Sequence, residues 1–345
     1  MISKTRMKWP NTRRRPMFRS RNLRNSLVIC CPMRPSMSPV KTRPLRSIRR
    51  NNLFIFGNLM QTLKAYFTLT KPSIMLLVII TGGTALIMEG SLLQDPFRFV
   101  MALLAIYLTG GSANALNQCF EREIDAKMKR TAARRPLPLH TIGAASAFVF
   151  SIAIGVAGLA IFYYYFNAYS ALLSLATILF YSLFYTLYLK PNTVQNIVIG
   201  GIAGSMSPVG AWVAATGQMA VDPWILFLII FLWTPPHFWA LALVYKDDYR
   251  LAKLPMMPVV KGDDSTYKQI LIYTWLLVVA SLALVINEQL GWVYILLAAA
   301  LGMLYLQKTY QVMKNRTEPQ LKGLFGYSII YLFGLFAVII ADSLI

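Results

Sequence analysis

With 57% hydrophobic and 14% charged residues over 345 positions, the chain is too apolar for a soluble domain, where about 45–50% apolar and about 25% charged is usual. Its formal net charge of +21 is local: residues 1–60 hold fifteen Lys/Arg and no acid, and the other 285 residues carry 19 basic against 13 acidic side chains, a net +6. That distribution argues against nucleic-acid binding, and three cysteines with two histidines leave no disulfide framework, CxxC site or multi-histidine metal centre.

Residues 1–60 are rich in Arg, Pro and Ser, with no apolar periodicity and no continuous apolar core of a secretory signal. They read as a disordered basic leader, either a transit-like segment or the product of a start placed upstream of Met60. Its several prolines would break the amphipathic helix that organellar import uses. In both readings residues 61–345 form the folded domain.

From residue 73 onward, apolar stretches long enough to cross a bilayer as helices alternate with short polar loops. Nine are expected, over about 73–90, 99–118, 142–163, 168–189, 194–215, 223–244, 269–286, 290–306 and 325–343. Placing Lys64 and Lys71 inside puts 18 Lys/Arg on the inner side and only Arg98 on the outer. One missed span would invert every later loop, so the bias supports nine spans with the N-terminus in and the C-terminus out. The two long polar loops, about 119–141 and 245–268, then share the inner face.

The first loop carries NQCFEREIDAKMKRTAARRPLP. If the second span continues as a helix past the membrane surface, Asn117, Glu121 and Asp125 fall at i, i+4 and i+8 on one face. Such an oxygen stripe suits a hard divalent cation, with Lys129, Arg130, Arg134 and Arg135 close by for phosphate oxygens. It equally suits a basic juxtamembrane loop whose acids only balance it. The second loop follows FLWTPPHFWALALVYKDDYRLAKLPMMPVVKG and offers His237, Lys246, Asp247, Asp248 and Tyr249. His237 lies in an apolar helix, where it serves as a hydrogen-bonder or faces a cavity. Asp247 and Asp248 read as a solvated turn or as a second acid cluster on the face of the first.

These blocks, with YTLYLKPNTVQNIVIGGIAGSMSPVGAWVAATG, resemble the UbiA-type intramembrane prenyltransferases over essentially residues 62–345, and within them the heme-farnesylating branch. The resemblance implies an all-α polytopic membrane fold, nine transmembrane helices around a central cavity with a polar cap. It implies transfer of a farnesyl group from farnesyl diphosphate to a vinyl group of protoheme IX, dependent on magnesium. By the same resemblance Asn117, Glu121 and Asp125 match the first Asn/Asp-rich motif and Asp247 and Asp248 the second, giving five metal ligands. His237 stands where relatives that prenylate aromatic acceptors have an acid, and joins the catalytic set. Lys129, Arg130, Arg135, Lys190 and Lys246 would contact the diphosphate, and Tyr181, Tyr185, Trp233 and Trp239 either shield a farnesyl cation or simply pack helices.

The chain departs from the family pattern in having Glu121 for an aspartate, Arg134-Arg135-Pro136-Leu137 for Asn-Arg-Pro-Leu, and Ser207-Pro208 for Pro-Pro. The implied setting is a bacterial inner membrane with the site on the cytoplasmic face, or a mitochondrial inner membrane. Heme A synthase or oxidase assembly factors would act downstream. Rival readings are a UbiA-type enzyme with a quinone or other aromatic acceptor and a non-catalytic heme-handling membrane protein.

Overall fold

The computed structural model describes residue 57, residues 59–286 and residues 290–344. Apart from residues 57, 59 and 60, the expected basic leader lies outside the described residues. All regular structure among the described residues is helical, and nine of these helices are long and apolar enough to cross a bilayer. They are α1 (Pro72–Glu89), α2 (Pro96–Phe120), α3 (Ala144–Phe166), α4 (Ala168–Asn192), α5 (Asn196–Thr216), α6 (Asp222–Val244), α7 (Asp263–Ala283), α8 (Trp292–Asn315) and α9 (Glu318–Ser343).

Each expected span corresponds to one helix, but three helices outrun their apolar stretch on the basic side. α7 starts at Asp263 instead of 269, α8 continues to Asn315 past 306, and α9 starts at Glu318 ahead of 325. Hydropathy registers only the part that lipid covers, whereas the i→i−4 ladder continues into water wherever caps allow. Local chemistry sets the ends. Prolines occupy the first turn of α1, α2, α6 and α9, where a missing N–H costs nothing. Asp95 accepts from Arg98 N at 3.1 Å to cap α2, and Asn167 accepts from Ser170 N at 2.8 Å to cap α4.

Each span packs against the next in sequence, and α9 returns to α1. Contacts of α1 with α5 and of α6 with α9 cross this ring and divide it into an α1–α5 lobe and an α6–α9 lobe. The outer face is apolar, with Val149, Ile152 and Val156 of α3 and Leu172, Leu179 and Leu187 of α4 exposed. Inside, small residues let backbones approach. A Cβ on Gly155 would stand 2.5 Å from Ser112 Oγ, and one on Gly158 3.0 Å from the Thr109 amide nitrogen. Ser112 Oγ donates to Ser151 O at 2.8 Å across the same α2–α3 seam. Lipid tails are as apolar as leucine, so close packing and interhelical hydrogen bonds hold such a seam.

Within α4 the segment Phe180–Leu189 is π-helical, and Thr186 Oγ1 donates back five residues to Tyr181 O at 2.8 Å. This widened turn, a feature frequent at functional sites, lies one turn before Lys190. Inside the first lobe a cleft of about 70 Å³ is lined by Val78 of α1, Thr109 and Ala113 of α2, Thr177 and Ile178 of α4, and Met206 of α5, among others.

The close α2–α3 seam carries a prediction. Gly155→Val should destabilise the protein by about 1–3 kcal/mol through overpacking, lowering the unfolding temperature in detergent. Ile152→Val on the lipid-facing side should leave it unchanged.

Candidate active site

α2 ends at Phe120, yet Glu121 N donates to Asn117 O at 3.0 Å and Asp125 N to Glu121 O at 2.8 Å. The helical register therefore passes through the junction into the short helix Arg122–Lys127, and Asn117, Glu121 and Asp125 keep one stripe. Both carboxylates are 2% exposed.

Each member of the stripe meets one cation, and the three cations come from three separate parts of the chain. Lys71, held at φ 54° ahead of α1, donates from Nζ to Asn117 Oδ1 at 3.0 Å. Lys190, in the last turn of α4, donates to Glu121 Oε1 at 2.6 Å. Arg135 pairs its Nη1 with Asp125 Oδ2 and stands 3.8 Å from Glu121 Oε2. Asn117 Nδ2 donates to Thr186 Oγ1 at 3.0 Å, so the widened turn of α4 orients the amide. Glu121 Oε2 is buried and makes no hydrogen bond.

Burial alone would raise the Glu121 carboxyl, but Lys190, then Lys71 and Arg135, hold it below the ordinary value. Asp125 lies above its ordinary value because burial outweighs Arg135. Burial, then the neighbouring Arg135 guanidinium, lowers Lys71 from 10.5 to about 7.

The second polar loop joins this cluster at one point. Asp248 Oδ2 accepts from Arg130 N at 3.3 Å. The next residue, Tyr249, is 2% exposed, and its hydroxyl makes no hydrogen bond although Arg130, Glu121, Arg135 and Asp248 all act on it electrostatically. Asp247 points away, its side chain 85% exposed and paired with Arg250 at 2.7 Å. Lys246 pairs with Asp263 at 2.6 Å, Lys129 is exposed, and the Arg130 guanidinium lies 5.4 Å over the Tyr245 ring.

His237 is stacked between Trp233, 4.1 Å between ring centroids, and Phe325 at 4.5 Å. Its Nδ1 hydrogen-bonds Ser328 Oγ at 2.6 Å, so it joins α6 to α9. Of the four candidate aromatics, Tyr181 and Tyr185 stack at 5.1 Å within electrostatic reach of Glu121. Trp233 donates to Ser328 O, and Trp239 sits edge-on to Tyr273 of α7, which is helix packing.

Residues 76–340 match the UbiA prenyltransferase family. The chain belongs to that family. It is 43% identical over 299 residues to a protoheme IX farnesyltransferase of Gloeothece citriformis, covering 86% of this chain and 91% of that one. It is 45% identical over 282 residues to a protoheme IX farnesyltransferase of Erythrobacter litoralis, covering 80% and 91%. A structure of digeranylgeranylglyceryl phosphate synthase shares the fold at a TM-score of 0.67 and 19% identity, covering 82% of this chain and 98% of that one. A UbiA homologue from Archaeoglobus fulgidus bound to GPP and Mg2+ shares it at 0.55 and 17%, covering 80% and 99%. The nine-helix UbiA fold and the prenyltransferase class expected from the sequence both stand.

The donor set fits a hard metal. Two carboxylates and an amide oxygen lie along one helical stripe, Glu121 Oε2 is a buried acceptor without a hydrogen bond, and such oxygen sets suit magnesium, which leaves coordination positions to water and phosphate. Among the described residues no three His, Cys, Asp or Glu side chains form a ready-made cage. Of the five expected ligands, Asn117, Glu121 and Asp125 come together, Asp248 is attached through Arg130, and Asp247 stands apart on Arg250. Sequence reasoning used Lys71 only for topology and overlooked Thr186. The one signal for Lys71 was a charge directly before the helix-starting Pro72.

Lys71 generates a pH prediction. The unfolded chain holds this proton up to about 10.5 and the folded one releases it near 7, so between these values the unfolded state binds more protons and stability rises with pH. Lys71→Met should flatten that rise, read as the unfolding temperature in detergent across roughly pH 6–10.

Proposed function

We propose that this chain transfers the farnesyl group of farnesyl diphosphate to a vinyl group of protoheme IX, giving heme O and diphosphate. One observation carries the reading: the charged stripe and an apolar cleft follow each other along the same two helices. On α2 the cleft residues Thr109 and Ala113 lead to Asn117, and on α4 Ile178 leads to Tyr181. Thr109 and Asn117 are eight residues apart, about 12 Å of helix. A diphosphate head at the stripe would thus lay its isoprenoid tail into the cleft. The heme acceptor is supported by relatives above 40% identity named for that reaction.

The chemistry requires the C1–O bond of the farnesyl ester to break, with its electron pair leaving on the diphosphate. The vinyl carbon then bonds to farnesyl C1, and water adds to the resulting cation and loses a proton. Asn117, Glu121 and Asp125 would hold magnesium, which when bound would supply positive charge to the leaving diphosphate. Lys190, Arg135 and Lys71 line the same stripe and bind phosphate oxygens more tightly as negative charge builds there, and Arg130, over the Tyr245 ring, would turn toward the diphosphate when it binds. Asp248 keeps Arg130 in place through its backbone amide. Tyr181 and Tyr185, stacked on each other and following the cleft residue Ile178 along α4, would shield the allylic cation with their ring faces. Lys129, Lys246 and Asp247 lie at the rim, where their charges serve the approach of an anionic substrate.

The site opens on the face that carries the basic loops, the cytoplasmic side of a bacterial inner membrane or its mitochondrial counterpart. The product would pass to heme A synthase or to oxidase assembly.

Purified protein given farnesyl diphosphate, protoheme IX and magnesium should form heme O, identified by mass spectrometry, and chelation should abolish it. A quinone prenylated in preference to heme would favour the rival acceptor class. Asp125→Ala should lower turnover roughly 10²–10³-fold, the scale of losing one electrostatic stabiliser; unchanged turnover at saturating magnesium would remove Asp125 from the site.

A further inference from the structure

Three oxygens of the stripe each hold a cation at hydrogen-bond distance, and Arg135 also reaches Glu121 Oε2 at 3.8 Å. Asn117 Oδ1 is taken by Lys71, Glu121 Oε1 by Lys190 and Asp125 Oδ2 by Arg135. We propose that these three cations are resident counter-ions that pass from the protein oxygens to the diphosphate, so that metal and diphosphate enter the site only as a pair. The proposal rests on the reading of the stripe as a metal–diphosphate site and adds an order of events to it.

Charge accounting supports the handover. Glu121 and Asp125 against Lys190 and Arg135 sum to zero, and a protonated Lys71 adds one positive charge. A divalent metal alone would raise a buried cluster to +2 or +3 and would have to displace cations with nowhere to go. A diphosphate ester alone, with three negative charges, would face two carboxylates. Arriving together, metal and ester bring a net −1, a smaller imbalance than either brings alone. The three cations then exchange carboxylate or amide oxygens for phosphate oxygens, and the metal takes the oxygens they release. Glu121 Oε2 makes no hydrogen bond and meets Arg135 Nη1 at 3.8 Å, the longest of the ion pairs at the stripe, so it is the oxygen a metal reaches first. The cations reach the stripe from three directions, one ahead of α1, one at the end of α4 and one in the 128–135 loop. Each can therefore swing a few ångströms without disturbing the others.

Equilibrium dialysis of the full chain in detergent micelles, counting protein-bound Mn2+ with and without inorganic pyrophosphate, tests this. Binding of Mn2+ alone should be at least about tenfold weaker than binding with pyrophosphate, the scale of one unit charge a few ångströms away. Lys71→Met, which removes a partner only from a neutral amide, should bind Mn2+ alone about tenfold more tightly than the wild type. Its pyrophosphate-dependent binding should weaken. Lys190→Met should shift in the same directions; if it does not fold, the wild type and Lys71→Met decide. Equal Mn2+ binding with and without pyrophosphate would overturn the handover and leave the metal–diphosphate reading intact. Pyrophosphate dependence unaltered by Lys71→Met would remove Lys71 from it. No Mn2+ binding under either condition would overturn both.

Discussion

A carboxylate buried at a membrane helix end must keep a cation beside it, and this chain buries two. Ionised groups lose the solvation that water gives them, and only well-placed counter-charges repay the loss. Glu121 and Asp125 therefore draw Lys71, Lys190 and Arg135 together from before α1, the end of α4 and the loop after α2. Removing one partner from a buried pair costs about 3–5 kcal/mol, so the cluster fixes where these segments end. The Arg130–Asp248 hydrogen bond extends the same constraint to the loop between α6 and α7, and both polar loops meet at one place.

The two lobes divide the remaining work. In the α1–α5 lobe, small residues bring helices close together, and at Gly200 a Cβ would collide with the Tyr185 ring, so glycine there leaves room for the aromatic. The α6–α9 lobe is tied by polar bonds inside an apolar wall. Trp233 Nε1 donates to Ser328 O at 2.7 Å, Ser281 Oγ and Tyr331 OH share a bond at 2.7 Å, and Tyr294 OH donates to Ser281 O at 2.6 Å. His237 belongs to this scaffold by its stacking and its Ser328 contact.

In the proposed reaction catalysis is electrostatic placement. The stripe offers oxygens that would hold a hard cation and cations that would bind phosphate. Such preorganised charge acts where negative charge develops, in a volume that excludes water. A glutamate in place of an aspartate at position 121 lengthens one arm by a methylene, and the structure uses that length to reach Lys190 while Oε2 stays open.

The number of spans and their order followed from the sequence, because hydropathy is a local property that bilayer thickness makes decisive. The i, i+4, i+8 stripe was legible for the same reason, since helical period alone aligns Asn117, Glu121 and Asp125. The polar extensions of α7, α8 and α9 were not, because no apolar signal marks a helix in water. The acids of the second loop illustrate the deeper limit. Asp247 and Asp248 are neighbours in sequence, yet one faces solvent with Arg250 and the other holds Arg130. Lys71, 46 residues from Asn117, and Lys190, 69 from Glu121, could be called basic and inner-facing from sequence alone. Which oxygen each one neutralises depends on how the helices pack around the ring, and only the tertiary structure decided that.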